Sequence, residues 1–220
     1  MTVLKNNGAV SAPKNWNTID WEQVHCEVMK LQVRIAKATK QGRWNKVKAL
    51  QWLLTHSYYA KCLAVRKVTT SRGKKTPGVD GIVLSKNHEK YQMVQSMKRR
   101  NYKPQPLRRI YIPKSGVGKK LRPLGIPTMK DRAMQGLHTL ALLPVAETLA
   151  DRYSYGFRPE RSTADAIERI FGSICRKPDP QWILEGDIKG CFDNISHNWI
   201  LENVITDRAI LSKWLKAGYL

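Results

Sequence analysis

The stretch GDIKGCFDNISH, residues 186–197, closes a short apolar run at 182–188 that reads as a buried strand. A carboxylate at the end of such a strand is costly unless it is paired or bound to a cation. Asp187 stands there, and Asp193 follows six residues later, directly after Phe192. Hard cations such as Mg²⁺ take carboxylate oxygens together with substrate phosphate oxygens. In two-metal phosphoryl transfer the ions clamp the attacking and leaving oxygens. An isolated Asp after a strand is more often a turn or cap residue, but the segment taken whole favours the metal reading.

Upstream, Ser162 with Asp165 three residues on is a capping-box signature. It opens a helix with Ile167, Ile170, Phe171 and Ile174 expected to face inward, ended by Pro178 and Pro180. Residues 107–112 and 121–126 are strand-like runs joined by a glycine-rich loop that holds Lys114, Lys119 and Lys120. They read as a β-hairpin whose second strand, with Pro123, lies at an edge. The loop lacks the P-loop spacing, and no helix follows it. Taken alone it is a solvated tip. With Arg108, Arg109 and Arg122 it offers a cationic surface for a triphosphate or a nucleic-acid backbone. Thr128 and Asp131 mark the start of a helix reaching about Leu149, with Pro144 expected to kink it.

Before residue 71 the pattern is helical. Trp21, Val24, Val28, Leu31, Ile35 and Ala38 recur at steps of three and four, with Thr18 or Asp20 as a cap and Gly42 as a stop. A second helix is expected through Val47, Leu50, Leu54, Tyr58, Cys62 and Val65, giving a helical hairpin with a basic outer surface. Residues 1–16 read as a flexible lead-in, and the turn-rich link at 71–81 contains Pro77-Gly78 and Asp80-Gly81. A short helix is expected over 91–100, ending in Lys98, Arg99 and Arg100. Beyond the central strand, Ser196 caps a further helical stretch and Asp207 restarts it. The element order suits an α+β protein.

The 220 residues carry 39 Lys+Arg against 17 Asp+Glu, a formal charge of +22. Such a surface repels itself unless a polyanion neutralises it, which makes nucleic acid the leading partner and a bare solvated surface the alternative. Residues 137–146, the longest nearly apolar stretch, fall short of the roughly 20 a membrane span needs. No secretory signal is present at the N-terminus, and the four cysteines lie far apart without a metal-ligand spacing. Zinc binding, membrane spanning and secretion are thereby disfavoured.

Four blocks occur in one order: TPGVDG at 76–81, PLRRIYIPKSGVGKKLRPLGIPT at 106–128, YGFRPERST at 155–163 and GDIKGCFDNISH at 186–197. Together they resemble the N-terminal blocks of a group II intron reverse transcriptase/maturase, over nearly the whole chain from about Trp16. The resemblance implies a right-hand polymerase fold. Residues 1–70 would be an N-terminal helical RNA-binding extension, and 71–220 the fingers and the beginning of the palm. Asp187 would be the first catalytic aspartate and a ligand to both Mg²⁺ ions, with the backbone carbonyl of Ile188 offered to one of them. Phe192 matches the steric gate that selects deoxynucleotides. Lys114 and Arg122 match residues gripping the incoming dNTP, and Arg108, Arg109, Lys119 and Lys120 would serve nucleic-acid binding. Arg158 would brace the fingers or contact template. For Phe157 and Tyr155 core packing is preferred, and it is the alternative for Phe192.

The same resemblance implies an RNA-directed DNA polymerase that binds intron RNA, an RNA template and a DNA primer, in a bacterial cytoplasm or an organelle. A homodimer is one possible assembly. The family's second palm block, an aromatic-Ala-Asp-Asp turn, does not occur before Leu220. The expectation is therefore an N-terminal portion that cannot polymerise by itself. The alternative function is a non-catalytic, maturase-like RNA-binding protein, and a third is an inactive piece with an exposed core.

Overall fold

The computed structural model describes residues 15–113, 121–176, 180 and 182–220. Helix α1 (Trp21–Lys40) starts where the Asp20 carboxylate accepts the N–H groups of Glu22 and Gln23, at 3.0 and 3.1 Å. These are two of the first-turn donors that a helix cannot satisfy internally. It stops before Gly42, whose φ of +64° is a left-handed backbone. The single second helix expected from the sequence is instead two, α2 (Trp44–His56) and α3 (Tyr58–Thr70). Ser57 breaks them by taking an extended backbone, while its carbonyl accepts the Lys61 N–H at 3.2 Å. Serine favours such junctions because it competes poorly as a helix-interior residue. Helix α4 (Asn87–Ser96) begins and ends earlier than expected, so Lys98, Arg99 and Arg100 lie beyond its end.

Strands β1 (Arg108–Pro113) and β2 (Leu121–Ile126) form the expected antiparallel hairpin, with Arg108 opposite Ile126 and Pro113 opposite Leu121. Residues 218–220 run parallel beside Leu107: its N–H donates to the Gly218 carbonyl at 2.9 Å, and the Leu220 N–H donates back at 2.8 Å. Helix α5 (Met129–Leu149) is capped by Thr128 as the sequence predicts. Helices α1, α2 and α3 all pack on it. The resulting core includes Val28, Ile35, Leu54, Val65, Met134 and Leu137 and is continuous across residue 70.

Two polar arrangements hold α5 in place. The buried Asp131 carboxylate accepts the Tyr102 hydroxyl (2.6 Å), the Thr128 hydroxyl (2.7 Å) and the Gln105 N–H (3.1 Å), so its desolvation is offset. Pro144 cannot return an N–H to the Leu140 carbonyl, and Gln32 on α1 donates to that carbonyl instead, at 2.8 Å. The turn-rich link is pinned by Arg132, which donates to the carbonyls of Pro127, Gly73 and Thr76. Gly78 is buried there, and a Cβ on it would lie 2.6 Å from the Thr128 Cα.

The remaining helices are α6 (Thr163–Ile174), α7 (His197–Asn203) and α8 (Arg208–Leu215), capped by Ser162, Ser196 and Asp207 as expected. Helix α8 docks through Trp214 Nε1 on the Tyr102 hydroxyl (2.9 Å) and through the Arg99–Asp207 ion pair.

Several expectations fail here. Ile167, Ile170, Phe171 and Ile174 are exposed, because no other described element covers that face of α6. Residues 182–188 are not a strand; Trp182 and Leu184 are 93% and 97% exposed, since no described strand pairs with them. Phe157 lies fully in solvent rather than in the core, with a left-handed φ of +60°. Trp16, placed by sequence in a flexible lead-in, is instead buried in a turn capped by Asn15. Among the described residues no helix is long and apolar enough to cross a membrane, and the four cysteines are free.

Candidate functional site

Asp187 stands in an exposed segment without regular secondary structure, and one of its oxygens accepts the N–H of Ile188 at 2.9 Å. The chain then turns at Gly190, where φ is +60°, into a short 3-10 turn, Phe192–Asn194. The Asn194 side chain donates to the Gly190 carbonyl at 2.8 Å and closes the turn. Gly190 and Asn194 therefore shape the block, a role that its glycine and asparagine signal by type. Phe192 is 83% exposed, outside any core. Asp193 is also exposed.

A carboxylate and the Ile188 carbonyl are the hard oxygen donors Mg²⁺ prefers. Their number falls short: among the described residues no group of three or more His, Cys, Asp or Glu side chains is placed to hold a metal.

On the hairpin, paired positions share a face and successive ones alternate. Arg122 lies opposite Ile112, so it shares a face with Arg108, while Arg109 is on the other. Arg122 is exposed. Arg109 is half-buried, its guanidinium 3.6 Å from the centre of the Tyr219 ring. The Nε atoms of Arg108 and Arg109 are buried without a partner among the described residues. Lys114, Lys119 and Lys120 lie outside the described residues.

Arg158 is half-buried, and its guanidinium is bonded within the protein. Its Nε and Nη2 donate to the two oxygens of Glu147, at 2.9 and 2.6 Å, and Nη1 donates to the carbonyls of Asp151 and Ser154, at 2.7 and 3.0 Å. Arg161 joins Glu147 at 2.9 Å. The hydrogen bonds from Arg158 and then Arg161 hold the Glu147 carboxyl well below its usual range, at about 2. Sequence reading missed Glu147 and Arg161, since a clamp between a helix end and a turn shows no spacing rule. The clamp fixes the turn that carries Phe157, and left-handed non-glycine backbone persists only where its surroundings over-determine it.

Residues 16–97 match the family described as the N-terminal domain of reverse transcriptase, and residues 112–219 match reverse transcriptase (RNA-dependent DNA polymerase). The chain is similar to the group II intron-encoded protein LtrA of Lactococcus lactis subsp. cremoris, 39% identical over 169 residues, which is 72% of this chain and 27% of LtrA. Protein YkfC of Escherichia coli (strain K12) is 36% identical over 170 residues, 71% of this chain and 44% of YkfC. Maturase-like protein 1 of Euglena gracilis is 28% identical over 196 residues, covering 86% of this chain and 42% of that protein. The chain thus spans less than half the length of each of these relatives.

Proposed function

The chain belongs to the group II intron-encoded reverse transcriptase/maturase family, and on that premise we propose that the whole protein is an RNA-directed DNA polymerase that also binds its intron RNA to assist splicing and mobility. The observation that supports this reading is the block at 186–197, whose Asp187 and Phe192 are both exposed and lie within the matched polymerase span. In this reading 1–70 is the RNA-binding extension, and 71–220 supplies right-hand fingers and the start of the palm. Asp187 and the Ile188 carbonyl would hold Mg²⁺, with further ligands needed beyond the described residues. When bound, the ions would stabilise charge on the attacking and leaving oxygens. Phe192 would crowd a ribose 2′-hydroxyl. Arg122 and Lys114 would neutralise the triphosphate of a dNTP, an electrostatic task suited to fixed cations. Arg108 and Arg109, with Lys119 and Lys120, would lie along template and primer. Arg158 would act as a brace for the fingers. The cytoplasm of a bacterium or an organelle is the compartment this reading requires.

Primer extension on an RNA template by a protein of the relatives' full length tests it. Asp187→Ala should abolish DNA synthesis while leaving RNA affinity unchanged. Intact synthesis in that variant would remove the catalytic assignment. A second reading, RNA binding without catalysis, is favoured by the charge of +22 alone. It is distinguished by wild-type protein that binds intron RNA with a steep salt dependence yet extends no primer.

A further inference from the structure

A cavity of about 190 Å³ opens where the end of α2, the start of α3, the segment after α4 and the middle of α5 meet. Its charge is one-sided. Lys61, Lys98, Arg99 and Arg100 line it, and none of its lining residues is acidic. Asp207, at a neighbouring cavity, is already bonded to Arg99. The side chains of Lys61, Lys98 and Arg100 form no hydrogen bond or ion pair with any described residue. Lys61 is half-buried, and burial together with the nearby Lys98 charge lowers its pKa. A partly desolvated ammonium beside a like charge is stabilised by an incoming anion.

The lining residue His56 supplies a second, independent feature through Trp52, which lines the neighbouring cavity that shares Thr55 and His138 with this one. Trp52 and His56, one turn apart on α2, are stacked with ring centres 4.1 Å apart and planes 22° from parallel. Trp52 is 55% exposed, off the buried stripe of its own helix. His56 Nδ1 donates to the Trp52 carbonyl at 2.8 Å, which fixes the ring and leaves Nε2 available. The inner wall is His138, buried and therefore neutral at physiological pH, edge-on to Trp214 at 5.2 Å.

We propose that this cavity, together with Trp52 of the adjoining one, captures an unpaired nucleotide of single-stranded RNA, the base stacking on the Trp52–His56 pair and the phosphate held by Lys61, Lys98 and Arg100. Stacking on an exposed ring requires a base whose own face is uncovered, which a duplex does not offer. The cavity suits a phosphodiester group and its sugar and is too small for a base pair. The inference rests on the RNA-binding part of the proposed function and adds to it a defined site away from the hairpin and from Asp187.

Fluorescence anisotropy with the 220-residue chain tests it, using an end-labelled unstructured 12-nucleotide RNA and a blunt duplex RNA of the same length. Trp52→Ala should weaken single-strand binding by about tenfold and leave duplex binding within twofold, with Trp52→Phe restoring most of the loss. Arg100→Gln and Lys61→Gln should each lower single-strand affinity and reduce the salt slope by about 0.7. Trp52→Ala binding both RNAs like wild type, or weakening both equally, overturns the site. Tighter binding of the matching DNA strand overturns its assignment to RNA. Wild-type protein that binds neither RNA overturns the RNA-binding reading itself, which separates the two failures.

Discussion

Pro144 has no N–H for the Leu140 carbonyl, and the Gln32 amide stands in for it from another helix. Gln32→Leu leaves that carbonyl unsatisfied and should cost about 1–2 kcal/mol in urea unfolding. In a Pro144→Ala background the restored backbone N–H makes the same change nearly neutral, so the two substitutions should be strongly non-additive. Equal costs in both backgrounds would show that the amide does not act through the carbonyl. His138 offers a second test. Burial pushes its pKa down to about 4, so the folded state resists a proton that the unfolded chain accepts near pH 6.5. Stability is full above pH 6.5 and falls as pH drops toward 4, by about 1.4 kcal/mol per unit. Wild type should therefore lose about 2 kcal/mol between pH 6.5 and 5, and His138→Leu should flatten that slope. An unchanged slope in the variant would place the acid sensitivity elsewhere.

Among the elements, the starts of α1, α5, α6 and α8 were legible because each cap is a local event between a side-chain oxygen and an N–H two or three residues away. The hairpin was legible for the same reason. The break at Ser57 was not, because Val47 to Val65 keeps one apolar period through it and only tertiary packing decides where the chain bends. Burial of α6 and of 182–188 was misread for a related reason: an apolar stripe states a need for a partner, and its satisfaction depends on what lies opposite. Of the site, the block around Asp187 was visible as a contiguous motif. The cavity beside Trp52 was not, since four separate segments build it. The turn-rich link carries its own test. Gly78→Ala drives a Cβ into the Thr128 backbone at the cap of α5 and should cost about 1–3 kcal/mol. A neutral effect in thermal unfolding would mean that the link yields rather than the cap.

The molecule as a whole combines a dense helical core with two uncovered apolar surfaces, the α6 stripe and residues 182–188. Contiguous exposed apolar surface drives association in water. Ile170→Lys, which places a charge in the middle of the α6 stripe, should lower concentration-dependent self-association in sedimentation velocity without changing helix content. No shift in the sedimentation profile would exonerate that stripe. Charge repulsion at +22 opposes the same association, so added salt should promote it in wild type more than in the variant.

The packing of α1, α2 and α3 on α5 also sets a timetable for the nascent polypeptide. Roughly ninety residues separate the end of α1 from the start of α5, and at ribosomal speeds of about 5–20 residues per second the first helices wait some 5–20 s for the helix that covers them. During that interval their sticky sides are available to chaperones and to sister chains on the same messenger. Synonymous codons that slow translation between residues 70 and 129 would lengthen this vulnerable period and lower the yield of soluble product with no change in the amino-acid sequence.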